Sequence, residues 1–185
     1  MQNVKNVLMV VVVGSIISSA ILHAYNQADL DKVLAHESCE NGDLTYAPLN
    51  GVDLSGLNLR GTNFSNASMV GANLYGAILV GTTLTDADLS NANLSGVPGS
   101  EAQAIRTNFN GASLDGSSWA YANFTSATFI NATGGPASMP GANLTEANFT
   151  GATGVTFNAE TYFNTIMPDG YVCSSAECAQ QHANP

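Results

Sequence analysis

Three cysteines, three histidines and a thin scatter of carboxylates are what this 185-residue chain has to do chemistry with. Cys173 and Cys178 are close enough in sequence for a local disulfide in an oxidising compartment. Cys39 stands far from both and reads as a buried thiol or an intermolecular link. His23, His36 and His182 fall in three separate stretches, so no set with metal-ligand spacing forms. His36-x-x-Cys39 reads as a surface or cap pair. Asp86 and Asp88 are near neighbours, but nothing around them suggests the desolvating pocket a catalytic carboxylate pair needs. There is no nucleophile elbow and no phosphate loop. Seven Asn-x-Ser/Thr sequons occur, Asn93-Leu94-Ser95 and Asn143-Leu144-Thr145 among them, and they follow from a sequence period rather than marking glycosylation. The expectation is a protein without catalytic residues, cofactor or metal.

Composition narrows the class further. The chain has 14 acidic and 4 basic side chains, a formal charge of -10, and only 10% charged residues. Four scattered cations cannot neutralise a run of phosphates, so nucleic acid is not an expected partner. An anionic membrane surface repels the chain for the same reason. With 45% apolar residues and low charge density, disorder is not indicated.

Residues 1–24 read MQNVKNVLMVVVVGSIISSAILHA. Lys5 gives a weak positive start, Val7 to Ile17 an apolar run, and Ser18 and Ala20, or Ala24, a small-residue cleavage site. That is the layout of a signal peptide. An uncleaved membrane anchor is the alternative, since Val7 to Ala24 is near the lower limit for spanning ~30 Å of hydrocarbon. The expected location is the periplasm, a thylakoid lumen or the extracellular space.

The elements that must position any outward group come from a five-residue repeat. From Ala67 the chain reads ASMVG, ANLYG, AILVG, TTLTD, ADLSN, ANLSG. Large apolar centres fall every fifth residue from Leu44 to Leu94, resume from Phe109 to Phe129, and return at Met139, Leu144 and Phe149. A small residue, alanine in the pure cases such as Ala67, Ala72 and Ala77, stands two before most of them. The stretches 95–107 and 133–141 look like breaks but keep the phase, so the coil should run through both, with a bulged corner as one outcome. A period of five fits neither a helix nor a plain strand. Each unit is a short extended step and a corner. Gly56, Gly61, Gly71 and their equivalents, with Asn66, Asn91 and Asn131, take the corner position, where freedom in φ is useful. Four corners close a coil of twenty residues. Residues twenty apart should then stack, and Gly99 should leave room beneath Trp119, which reads as a core filler.

These residues resemble the pentapeptide-repeat family, written A(D/N)Lxx. The resemblance implies an all-β fold, a right-handed quadrilateral β-helix with centre and alanine pointing inward. It spans about Gly42 to Gly154, and it extends to the opening LAHESCENGDL of bacterial members, cyanobacterial ones included, in which Gly42 replaces a second cysteine. FNTIMPDG at 163–170 resembles their exit segment.

The organisation expected is a signal peptide or anchor at 1–24, an N-terminal helical cap at 25–43, the repeat coil at 44–154, and a C-terminal cap and tail at 155–185. Asn26 should cap a helix reaching about Ser38, with Leu30, Val33 and Leu34 on its inward face. Phe157, Tyr162 and Phe163 suit the opposite lid.

The leading functional expectation is a non-enzymatic exported column that serves as a structural or protein-binding surface. Tyr75 and Tyr121 are its candidate contact residues. A protein partner is expected without being named; membrane association would run through residues 1–24, and a homo-oligomer stays open. Some family members are acidic mimics of DNA that bind gyrase, which is the second reading. The ladder Ser65, Thr85, Ile105, Thr125, Thr145 raises a third, ice binding. The acidity is densest at the ends: residues 25–43 carry -4 and the much longer 44–154 also -4, an arrangement that opposes end-to-end stacking and weakens the DNA-mimic reading.

Overall fold

The structure is a computed structural model that describes residues 25–183. The segment read as signal peptide or anchor, 1–24, lies outside the described residues. The chain order is α1 (Gln27–Leu34), the repeat region, β1 (Thr133–Ser138), β2 (Thr153–Thr156), β3 (Thr165–Ile166), β4 (Val172–Cys173) and α2 (Ala176–Gln181).

Between the helices, parallel bridges join residues twenty apart and stack the chain into a column. Three unbroken ladders run Asp43–Asn63–Thr83–Gln103–Asn123–Asn143, Pro48–Ser68–Asp88–Asn108–Thr128–Asn148 and Asp53–Asn73–Asn93–Ser113–Thr133. The fourth joins Asn58 to Ile78, crosses to Pro98 through the Leu79 amide, and continues to Ser118 and Ser138. These four ladders are the column's four walls. The strands are one residue long because each pentad spends its remaining residues turning. All the corner glycines expected in the repeat have positive φ, from +63° at Gly76 to +70° at Gly96 and Gly151, and Asn66, Asn91 and Asn131 share that conformation.

The core fills the column from end to end. Leu49, Met69, Leu89, Phe109, Phe129 and Phe149 form one inner ladder and are fully buried. Its upper half is aromatic: Phe129 stacks on Phe109 at 4.7 Å and on Phe149 at 4.5 Å, nearly parallel in both cases. Each such centre gains about 1.5–3 kcal/mol on burial. Where a hydroxyl replaces the inward alanine it finds a carbonyl: Thr107 donates to Leu84 at 2.6 Å and Ser117 to Leu114 at 2.7 Å. Trp119 is fully buried, donates from Nε1 to Ser117 Oγ at 2.9 Å, and lies so close over Gly99 that a Cβ there would collide with the indole.

Both apparent breaks are built into the column. The first carries the bridges Thr83–Gln103 and Pro98–Ser118, and between Ile78 and Pro98, which has no amide hydrogen, only the Leu79 amide crosses. The second becomes β1, which pairs with β2 in parallel and slips register between Thr133 and Ala137. Gly134, Gly135 and Pro136 form that bulge because no centre residue fixes the step there. Pairing continues past Gly154, but over eighteen residues, as in Asn143–Thr161 and Asn148–Ile166. The antiparallel pair β3–β4 then ends the pairing.

Two expectations for the ends need correction. Asn26 does cap α1, accepting the Ala28 amide at 2.9 Å, but the helix stops at Leu34 rather than near Ser38. His36, with φ of +60°, turns the chain toward the first coil. Leu34 is 55% exposed, so Leu30 and Val33 alone form the inward apolar face. At the other end Phe157 and Tyr162 are buried, Phe157 edge-on to Phe149, whereas Phe163 is 56% exposed.

Candidate functional site

The outer surface is set by what each corner and each step leave facing solvent. On the first three walls, Asn and Asp side chains accept the amide two residues on. Asn143 takes the Thr145 amide at 3.0 Å and its hydroxyl at 2.7 Å, and Asn123 does the same for Thr125. Many also reach the next coil, as Asn108 Nδ2 does to Asp88 at 2.9 Å and Asn73 Nδ2 to Asp53 at 2.9 Å. The wall side chains therefore stand in register at the coil spacing.

One column edge differs from the others. It carries Tyr46, Asn66, Asp86, Arg106, Ser126 and Glu146, with no glycine, although every one has positive φ, from +54° at Arg106 to +60° at Tyr46 and Asp86. A residue with a Cβ pays roughly 1–2 kcal/mol for that conformation. In return the edge presents side chains. Arg106 forks onto Asp86, and Ser126 donates to Glu146 at 3.0 Å.

Tyr75 is 60% exposed and Tyr121 69%. They flank the fourth wall from opposite sides. Tyr75 precedes the corner Gly76 on one edge, and Tyr121 is itself a corner on the other, its ring lying over Gly141 one coil on. The fourth wall between them presents Ile78, Val80, Pro98, Ala120 and Pro140, all half-buried; its Asn side-chain bonds lie at its two ends, where Asn58 accepts the Arg60 amide at 3.2 Å and Asn158 Nδ2 donates to Ser138 Oγ at 3.2 Å.

Asp86 and Asp88 are not a pair: Asp86 turns to Arg106 on the edge and Asp88 accepts Asn108 on the second wall. The Arg106 guanidinium, by hydrogen bond and charge, holds the Asp86 carboxyl below its ordinary value. His36 Nδ1 lies 3.2 Å from the Asp53 carbonyl and is not part of a metal set. Among the described residues no group of three or more His, Cys, Asp or Glu is gathered to hold a metal, and no helix is long and apolar enough to cross a membrane.

The cysteines divide as follows. Cys39 is free and 2% exposed; burial first, and the Asp29 carboxylate second, push its thiol up to about 11. Asp29 is the residue that sequence reading missed. One carboxylate oxygen accepts Lys32 at 2.8 Å and the other the Asp43 amide at 3.0 Å, which ties α1 to the first coil. Both interactions lower its pKa, Lys32 most. Its spacing to Lys32 was the available signal. Cys173 on β4 and Cys178 in α2 have Cα atoms 5.5 Å apart, with their sulfurs at bonding distance. Close by, His182 Nδ1 meets Asp169 Oδ2 at 2.6 Å and the His182 ring stacks on Tyr171 at 4.1 Å.

With the twenty-residue coil in view, the Pentapeptide repeats family matches in eight copies over residues 47–86, 67–98 and 107–133. These segments are pentapeptide repeats. Similar solved structures include a pentapeptide repeat protein from the thylakoid lumen of Arabidopsis thaliana, 28% identical over 65% of this chain, with a TM-score of 0.27. This chain spans 66% of that protein's length. A pentapeptide repeat protein from the cyanobacterium Cyanothece 51142, Rfr23, is 23% identical over 70% of this chain and 97% of its own, with a TM-score of 0.37. The plasmid-mediated fluoroquinolone resistance protein QnrB1 is 19% identical over 67% of this chain and 75% of its own, with a TM-score of 0.33. No curated protein matches. Pentapeptide-repeat proteins are in general structural or interaction proteins, and the arrangement on this repeat surface is one of display: groups held at fixed spacing on a rigid column.

Proposed function

We propose that the pentapeptide-repeat chain is a non-enzymatic exported scaffold whose walls bind a protein partner. The observation that carries this is the register of the outer side chains. Asn108–Asp88, Asn73–Asp53 and Asn143–Asn123 are hydrogen-bonded from coil to coil, so the wall meets a partner already ordered and loses little side-chain entropy on binding. Tyr75 and Tyr121 are its contact residues, the two most exposed of the large apolar side chains among the described residues. The proposal extends to a right-handed quadrilateral coil over 44–154, caps at 25–43 and 155–185, a signal peptide or anchor at 1–24, a bacterial, cyanobacterial-like origin, and a Cys173–Cys178 bridge that fits an oxidising compartment.

The test is capture of partners from the exported fraction with wild type and with Tyr75→Ala or Tyr121→Ala. Loss of the same partner from either variant supports the reading; unchanged capture removes that tyrosine from it. N-terminal sequencing of the recovered protein decides between a cleaved signal and an anchor. Against DNA mimicry, the Asp86 charge is matched by Arg106, and the walls carry Asn rather than a carboxylate stripe. An unchanged rate in a gyrase supercoiling assay is the expected outcome.

A further inference from the structure

We propose that the fourth wall is where a second copy of this chain docks, antiparallel and side by side. This deepens the protein-binding reading above by naming the partner for one wall. Through its middle coils, from Ile78 to Ala120, the fourth wall lacks the polar ladders of the other three, which it keeps only at Asn58 and Asn158. It offers Ile78, Val80, Pro98 and Ala120 with tyrosines at both margins. It carries two charges, Arg60 and Glu101, and among the described residues neither is in an ion pair.

Their placement is self-complementary. The Gly61 amide donates to Val80 O and the Gly81 amide to Ser100 O, so Arg60 lies one coil below Val80 and Glu101 one coil above it. Both sit at the same side of the wall, toward the Tyr121 edge. A two-fold axis across the wall at the level of Val80 keeps that side and exchanges the coils. It sets Arg60 of each copy against Glu101 of the other, Val80 against Val80, and the two Tyr75 rings near each other at the opposite margin. That is the reciprocal contact an isologous dimer requires. In the N-terminal cap Glu40 lies one coil below Arg60, and in this arrangement it faces the Tyr121 edge rather than a carboxylate. The wall is about 10 Å wide and 25 Å tall at ordinary strand dimensions. That is short of a standard interface, so the dimer is weak and forms at high concentration.

The experiment uses the full chain as recovered from the exported fraction. Val80→Cys is treated with a short bis-maleimide across a concentration series, beside wild type and Thr125→Cys on the first wall. The expected result is a dimer band at least tenfold stronger for Val80→Cys than for either control. Arg60→Glu or Glu101→Arg in the Val80→Cys background should abolish it, and the double exchange should restore it. Circular dichroism of each variant establishes that the column is intact; Arg60→Ala replaces any that is not. Equal cross-linking at positions 80 and 125, or indifference to the charge exchanges, overturns the proposal. Either result leaves capture of a different partner unaffected, so this failure and that of the wider reading are separable.

Discussion

Arg106 and Asp86, twenty residues apart in sequence, meet on adjacent corners of one column edge, with guanidinium Nε and Nη2 at 2.7 and 2.6 Å from the two carboxylate oxygens. The contact exists because both corners adopt positive φ without glycine. Both partners are more than a third exposed, and exposed pairs are screened by salt.

Arg106→Ala should therefore shift the urea midpoint only slightly in low salt and not at all in high salt. The pH dependence has a definite sign. The folded Asp86 pKa is depressed, so its contribution is present above the unfolded value and fades as pH falls through the folded one. Urea titrations of wild type and Arg106→Ala should converge at acid pH. A difference that grows on acidification contradicts this.

Gly99 and Trp119 should behave as one unit. Gly99→Leu restores a consensus centre yet collides with the indole, and should cost at least the 1–3 kcal/mol typical of overpacking. Trp119→Leu alone should open a cavity. The double variant should be more stable than the sum of the two losses allows, a coupling read from a double-mutant cycle in urea.

The glycines of positive φ should divide by environment. Gly71→Ala meets no neighbouring atom, so only its φ of +65° opposes it, at about 1 kcal/mol. Gly154→Ala also drives a Cβ into the Gly134 backbone beneath it and should cost clearly more. Ser126→Gly should be neutral or stabilising, because it relieves the same conformation. Thermal melts of the three variants give the order.

Cys39 should resist alkylation in the folded protein, since burial and a thiol pKa of about 11 both disfavour the thiolate. Asp29→Ala removes the acceptor of Lys32 and of the Asp43 amide, and should cost about 1–3 kcal/mol as that amide loses its partner. Iodoacetamide labelling followed by mass spectrometry should show Cys39 protected in wild type and opened in Asp29→Ala. Rapid labelling of folded wild type contradicts the prediction.

The five-residue period alone determined which residues go inward, which turn, and that positions twenty apart stack. Such a repeat leaves the chain one way to bury every fifth side chain. It carried the coil correctly through Gln103 and Pro98, and placed Trp119 over Gly99. Tertiary structure alone decided what lies off the period. The length of α1 and the exposure of Leu34 depend on where Asp29 can reach Asp43. The eighteen-residue last step and the exposure of Phe163 depend on how β3 and β4 close the end. The pairing of Arg106 with Asp86, and the isolation of Arg60 and Glu101 on one plain wall, depend on coil height and side-chain reach. A repeat fixes the backbone because its hydrogen bonds are the same at every step. It leaves the choice of outward side chain free because the bonds that join the coils run through backbone amides and carbonyls.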